Sequence, residues 1–321
     1  MPSANTKLIL IDGFAGIGKS TTAQRLWLHL TRAGRDAVWF HEHEIDHPIF
    51  QYGEVDELLS FTPQQFEDRI LAGWTRLAAS PEAARIRIIE SSFLQLPVGV
   101  LLAMNVPAAR IRTVLRRIAA ACSTLDVSLV HLYEPDLRAA LTRIGAARGP
   151  EWLQLIATAV GQSPYGRTHR VCNLAGLIRY YRRQRLIIDS VLPRLSVRHD
   201  AVDVSGARWD RHERRITGFL GIRRAWSAAR PPADLLRHVG AYRGTATGHP
   251  CLVTTDLRAL YVHLPAMRAQ RLLPVEGGRF CVESMPIDIR FTYGRTGQAR
   301  RFTYASRLVN EMMSDTSWVR A

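Results

Sequence analysis

Up to about residue 220, short unbroken apolar runs alternate with stretches whose apolar residues recur every three to four positions. A run with no polar face suits a strand buried on both faces of a parallel sheet, and the helical stretches between supply the crossovers. The runs predict strands at Lys7–Asp12, Ala37–His41, Arg85–Glu90, Leu125–Leu132 and Val197–Val204. Helices are predicted over Lys19–Ala33, Pro63–Ala79, Ala108–Ser123, Pro135–Ala147, Glu151–Val160 and Leu174–Leu195. In the last of these, Leu177, Ile178, Tyr181, Arg185, Ile188 and Leu192 keep roughly helical spacing with arginines between. The uncharged stretch Ser91–Ala109 holds Gln95, Pro97, Asn105 and Pro107, so it reads as a buried loop and helix, not a membrane span.

The pattern changes at Ser227–Asp234, where Ala-Ala-Arg-Pro-Pro-Ala stops any helix and marks a linker. Beyond it, strand-like runs at Cys251–Thr254, Leu260–Leu264, Arg279–Glu283, Asp288–Tyr293 and Arg301–Ala305 are separated by turns at Gly277-Gly278, Gly294 and Gly297. The expected organisation is an α/β domain over 1–226, a linker over 227–234 and a small β-rich domain over 235–321. The expected fold class is a P-loop α/β fold, with a parallel five-stranded sheet and flanking helices, followed by an antiparallel β domain.

Composition adds less. The 321 residues are 47% hydrophobic and 22% charged, which excludes a disordered chain and a disulfide-stapled miniprotein. Cys122, Cys172, Cys251 and Cys281 form no CxxC pair and read as reduced thiols. The polar start and the short apolar run Leu8–Ile11 do not make a signal peptide, so a cytoplasmic protein is expected. The formal net charge is +15, yet only Lys7 and Lys19 are lysines and the other basic residues are arginines. Those arginines are scattered and lack an RNA-binding aromatic signature. They read as a solvated surface around a phosphate-using site, and specific nucleic-acid binding is not expected.

The chemistry begins where the first strand ends. Gly13-Phe14-Ala15-Gly16-Ile17-Gly18-Lys19-Ser20-Thr21 fits GxxxxGK[ST] between a buried strand and an amphipathic helix, the context the motif requires. Its glycines let main-chain N–H groups turn toward phosphate oxygens, and the helix adds its positive end. Gly13 through Thr21 are therefore the expected nucleotide-binding residues. Lys19 would reach the β- and γ-phosphates and the Ser20 hydroxyl would ligate Mg²⁺.

The other strand ends supply candidates for the acceptor side. After the second strand comes His41-Glu42-His43-Glu44-Ile45-Asp46-His47; Glu42 or Glu44 could position or deprotonate an acceptor hydroxyl, with His47 beside them. A transition-metal site on these histidines is disfavoured because no second ligand cluster accompanies them. Glu90, ending the third strand, could complete the Mg²⁺ shell or act on the acceptor, and Ser91 and Gln95 could bind it. Arg143 and Arg148, on the helix after the fourth strand, are candidates for stabilising the transferring phosphoryl group. Tyr165-Gly166-Arg167 reads as a loop nearby.

Together, the P-loop, Glu42, Glu90-Ser91-Ser92 and the arginine-bearing helix resemble the P-loop nucleoside and nucleoside-monophosphate kinases. That group takes in thymidylate kinases, deoxynucleoside kinases and antibiotic phosphotransferases. The resemblance covers roughly residues 5–220. It implies ATP (or GTP) and Mg²⁺ as cofactors and γ-phosphoryl transfer to a hydroxyl of a small molecule such as a nucleoside, antibiotic or secondary metabolite. Deoxynucleoside kinases carry Glu-Arg-Ser after strand three and thymidylate kinases Asp-Arg; here Glu90-Ser91-Ser92 lacks the arginine, whereas chloramphenicol phosphotransferase shares the plan without it.

The tail, through Gly240–Gly244, Leu260-Tyr261-Val262, Arg271–Val275 and Arg279-Phe280, is similar to the β domain appended to some serine-β-lactamase-like hydrolases. No catalytic serine motif accompanies it, so no hydrolase activity is expected. Covering the acceptor site, or contact within a homodimer, is the role imagined for it. The competing class is a regulatory P-loop ATPase or GTPase acting on a nucleic-acid or protein partner, and no DxxG follows the third strand to support it. No membrane association is expected.

Overall fold

The computed structural model describes residues 8–52, 55–80, 85–226, 234–264, 268–275, 278–309 and 315–321. They fall into two compact units: one of Met1–Ala23, Asp36–Glu42 and His47–Ile222, the other of Gln24–Arg35, His43–Asp46 and Arg223–Ala321. Apart from Asp234, the expected linker lies outside the described residues.

The sheet of the first unit contains β1 (Leu8–Asp12), β2 (Ala37–Phe40), β3 (Ile86–Glu90), β4 (Val127–Tyr133) and β5 (Arg198–Asp203), all parallel, in the order β2-β3-β1-β4-β5. Every residue of β1 and β3 is buried, which explains their largely apolar text. The exception in β3, Arg87, donates to the Leu77 carbonyl. Ten helices occur among the described residues: α1 (Lys19–Arg32), α2 (Val55–Leu59), α3 (Pro63–Ala79), α4 (Gln95–Ala103), α5 (Ala108–Ala121), α6 (Leu137–Arg148), α7 (Pro150–Gln162), α8 (Pro164–His169), α9 (Leu174–Val191) and α10 (Trp209–Leu220). Among these helices none is long and apolar enough to cross a membrane.

Local chemistry sets several helix starts. Thr62 and Gln65 form a reciprocal capping box ahead of α3, whose Phe66, Ile70, Trp74 and Leu77 then enter the core. Asp136 accepts from the Arg138 and Ala139 amides to start α6, and Asn173 accepts from Gly176 to start α9. The expected loop at Tyr165-Gly166-Arg167 is instead the short helix α8, because Ser163 caps the Gly166 amide and Pro164 fits the first turn.

The second unit contains a closed antiparallel barrel. Its strands are β6 (Gly240–Gly244), β7 (Pro250–Thr255), β8 (Leu260–His263), β9 (Gln270–Pro274), β10 (Arg279–Val282), β11 (Ile287–Tyr293), β12 (Ala299–Ser306) and β13 (Ser317–Arg320). Each pairs with the next in sequence, and β13 closes on β6 with Trp318 opposite Gly244. The five strand-like runs seen in the sequence are β7, β8, β10, β11 and β12; β6, β9 and β13 complete the circle. Tyr242, Val253, Val262, Phe280, Phe291, Phe302 and Trp318 fill the interior, as expected of a barrel this narrow. Within this unit Gln24 donates to the Val282 and Met285 carbonyls and accepts from the Ser284 amide, while Leu28 packs with Trp226, Leu273 and Cys281.

The fully buried Phe302 ring stacks on Trp318 at 5.9 Å and 11°. Phe302→Ala is expected to destabilise the barrel by about 3–5 kcal/mol, through lost burial and the cavity left behind. Urea unfolding followed by tryptophan fluorescence measures it.

Candidate active site

In this strand order β1 lies between strands reached by opposite crossovers, and the crevice at its carboxyl end is where such sheets receive ligands. Gly13-Phe14-Ala15-Gly16-Ile17-Gly18 turns there into α1. Gly13 has φ +148°, and a Cβ on it would stand 2.5 Å from the Leu132 carbonyl oxygen of β4. Gly18 has φ +101°, and a Cβ there would strike the Trp209 ring at 2.4 Å. Both positions therefore demand glycine on backbone and on space. Lys19 is 5% exposed and donates from Nζ to the Phe14 carbonyl at 3.2 Å, folding its ammonium back over the loop. Thr21 follows in the first turn of α1.

Ser20 and Glu90 meet at this edge. Ser20 Oγ donates to Glu90 Oε1 at 2.9 Å, and the Glu42 amide donates to the same oxygen at 3.3 Å. His41 Nε2 lies 3.5 Å from it. Glu90 is 0% exposed, and its Oε2 is buried with no hydrogen-bond partner. Burial, then the charge of Glu42, pushes the Glu90 carboxyl up to about 8, against the pull of Lys19 and the Ser20 hydroxyl. The same burial, with the charges of Glu42 and Glu90, holds the Tyr52 phenol well above its usual range. Tyr181 on α9 is likewise raised by burial and Glu42, and its ring meets Phe14 at 5.5 Å.

A hydroxyl and a buried carboxylate oxygen without a partner are the hard-oxygen donor set that Mg²⁺ accepts. Among the described residues no group of three or more His, Cys, Asp or Glu could hold a metal ion. A cation here would complete its shell with phosphate oxygens and water, as Mg²⁺ commonly does in nucleotide sites. Ser20 and Glu90 thus fit that ion.

Asp12, the last residue of β1, is a residue of this edge that the sequence reading passed over. Its buried carboxylate accepts from the amides of Gly13 (3.0 Å), Phe93 (3.1 Å), Leu94 (2.7 Å) and Gln95 (2.8 Å), tying the P-loop to the turn after β3. Burial raises its carboxyl, and the Leu94 and Gln95 amides, Lys19 and the Gly13 amide pull the other way. The signal available was an acid directly before the motif. Ser91 begins the same turn at φ +65°, buried.

The remaining candidates are distributed as follows. His47 Nδ1 accepts from the Ile49 and Phe50 amides, and Nε2 stands 3.2 Å from Ser92 Oγ, so this ring braces the two loops. Glu44 belongs to the second unit, with Arg307 Nε at 3.2 Å. Arg143 is held by both oxygens of buried Glu134, at 3.0 and 2.5 Å, which raises its guanidinium further. Arg148 lies over the Trp152 ring at 5.1 Å. Gln95, whose Oε1 is buried without a partner, lines a cavity of about 30 Å³ beside Gly13 and Phe14, together with His131, Tyr181, Gln184 and Arg185. His131 is held down to about 4 by burial and by Arg185, so it is a neutral ring at neutral pH.

No family model matches the chain, and no curated protein matches it in sequence. Among solved structures, YorR of Bacillus subtilis, in complex with phosphorylated GDP, is 14% identical, with 67% of this chain and 95% of that chain covered and a TM-score of 0.40. Thymidylate kinase from Candida albicans is 17% identical, covering 68% and 92%, with a TM-score of 0.41. A sugar kinase from Janibacter sp. HTCC2649 is 13% identical, covering 68% and 97%, with a TM-score of 0.34. Scores this low carry no weight for function.

The folded-state value of Glu90, near 8, lies above its ordinary 4.5. The stability this group contributes is therefore complete below about pH 4 and is lost as pH rises through 8. In metal-free buffer the melting midpoint should fall between pH 5 and 8.5 more steeply in the wild type than in Glu90→Gln. Parallel melting curves for the two proteins, measured by scanning fluorimetry, would refute this.

Proposed function

We propose that the chain is an ATP- and Mg²⁺-dependent phosphotransferase that moves the γ-phosphoryl group to a hydroxyl of a small organic acceptor. The observation that carries this reading is the meeting of Lys19, Ser20 and Glu90 at the carboxyl edge of the sheet, with one buried Glu90 oxygen unpartnered. Ser20 and Glu90 would hold Mg²⁺, which neutralises developing charge on the phosphates.

The loop amides and Lys19 would hold the triphosphate, the lysine leaving the Phe14 carbonyl to do so. Glu42, next to Glu90 on the acceptor side, would accept the proton of the attacking hydroxyl. The low-dielectric surroundings that raise Glu90 and Tyr52 would make each contact to the transferring group stronger than in water. The neutral His131, Gln95 and Gln184 lining the cavity beside Phe14 are available for uncharged groups of the acceptor. Free thiols at Cys122, Cys172, Cys251 and Cys281 suit a reducing cytoplasm.

The test is transfer of label from [γ-³²P]ATP to a panel of nucleosides, aminoglycosides and phenicols by the full chain with Mg²⁺. Lys19→Ala should abolish both calorimetric MgATP binding and transfer, and undiminished transfer by that variant would end the proposal. Glu42→Gln should lower kcat by about 10²- to 10⁴-fold while leaving the KM for ATP near that of the wild type. An unchanged kcat would remove Glu42 as the base.

A further inference from the structure

Strand register places a set of arginines on one outer wall of the barrel. Thr292, Arg301, Val319 and Arg243 stand opposite one another across β11, β12, β13 and β6. Arg290 faces Thr303 in the next row, and is therefore the diagonal neighbour of Arg301. All six side chains are exposed, while the alternate residues Phe291, Phe302, Trp318 and Tyr242 fill the interior.

Neighbouring strands lie about 4.8 Å apart and diagonal neighbours about 7–8 Å, so three guanidinium groups share one small surface. Like charges this close repel one another, and a multivalent anion removes that cost. The acid on this wall is Asp288, at its edge opposite Ala305. By contrast, the outer side of β9 and β10 is covered within the unit, where Leu273 and Cys281 pack against Leu28.

We infer that this wall is a docking surface for the sugar–phosphate backbone of a nucleic acid, read without sequence preference. Arginine with threonine hydroxyls is the side-chain set that contacts phosphate and sugar oxygens. Tyr293, two residues beyond Phe291, belongs to the other face of β11, with its hydroxyl 2.9 Å from buried His238 and the Arg237 guanidinium 4.4 Å over its ring, so the wall offers guanidinium and hydroxyl groups for a backbone and no ring for a base. A bilayer surface fits less well, because Val319 is the single exposed aliphatic side chain in these rows and offers little to insert. The inference is independent of the kinase reading, since none of these residues lies in the P-loop unit.

The experiment is fluorescence anisotropy of the full chain with a labelled mixed-sequence 20-nucleotide single strand of DNA, across a salt series. Three phosphate contacts predict a fall of log K with log salt of slope about −2. The triple variant Arg243→Gln, Arg290→Gln, Arg301→Gln should bind at least about ten-fold more weakly at low salt with a slope near zero. Its melting midpoint should be equal to that of the wild type or slightly higher, because the substituted side chains are exposed and their mutual repulsion is relieved. A charge-matched control, Arg116→Gln, Arg117→Gln, Arg182→Gln in the first unit, should keep wild-type affinity, as should Lys19→Ala. Three results would overturn the inference: no oligonucleotide binding by the wild type, equal losses in the two triple variants, or loss confined to phosphatidylserine vesicles.

Discussion

The hydrogen bond from Ser20 to Glu90 joins the P-loop helix to the end of β3, beside two strands whose every residue is buried. A carboxylate with one oxygen satisfied and the other orphaned is an unstable ion in a low-dielectric interior. It can take a proton or a cation, and the neighbouring Glu42 charge sharpens that choice. The surrounding structure holds Glu90 Oε2 buried and without a protein hydrogen bond. A group kept in that condition is a reasonable sign that something else completes its contacts.

The rigidity needed to keep Glu90 there comes from Asp12. One carboxylate gathers four main-chain N–H groups, three of them from the turn that follows Glu90 and Ser91. The P-loop and that turn consequently cannot shift independently. His47 makes a similar brace on the other side, joining the loop after β2 to Ser92. The positions of Lys19, Ser20, Glu42 and Glu90 are thus set by buried polar ties among three loops. Each tie would leave a desolvated group behind if broken.

What could be read from the sequence was whatever rests on local spacing. The P-loop is nine consecutive residues, and β1 and β3 are mostly apolar because both faces are covered, so the loop, the strand ends that bring Ser20 and Glu90 to one edge, and the parallel sheet could be placed from the text. Where a residue's partner comes from a distant element, the text was silent. Glu134 captures Arg143, Arg307 reaches Glu44, and α9 brings Tyr181 and Arg185 to the P-loop, all through packing that no periodicity encodes. The barrel shows the same limit. β6 begins and ends in glycine, and β9 and β13 are five and four residues long, too brief for alternation to stand out. Closure, which needs β13 to meet β6, is a long-range event.

Closure also gives the barrel its chemical character. Among the described residues every barrel strand is paired on both sides and rings fill the interior, which leaves the outer surface as the part open to contacts. Part of that surface is used within the unit, where Gln24, Leu28 and Trp226 pack against it. The wall formed by β11, β12, β13 and β6 instead carries exposed arginine and threonine over an aromatic core. The core would be equally well built beneath uncharged β-formers, and clustering guanidinium groups above it adds repulsion to the folded state. Stability therefore gives no reason for those arginines, whereas the anion contact proposed for this wall would use them.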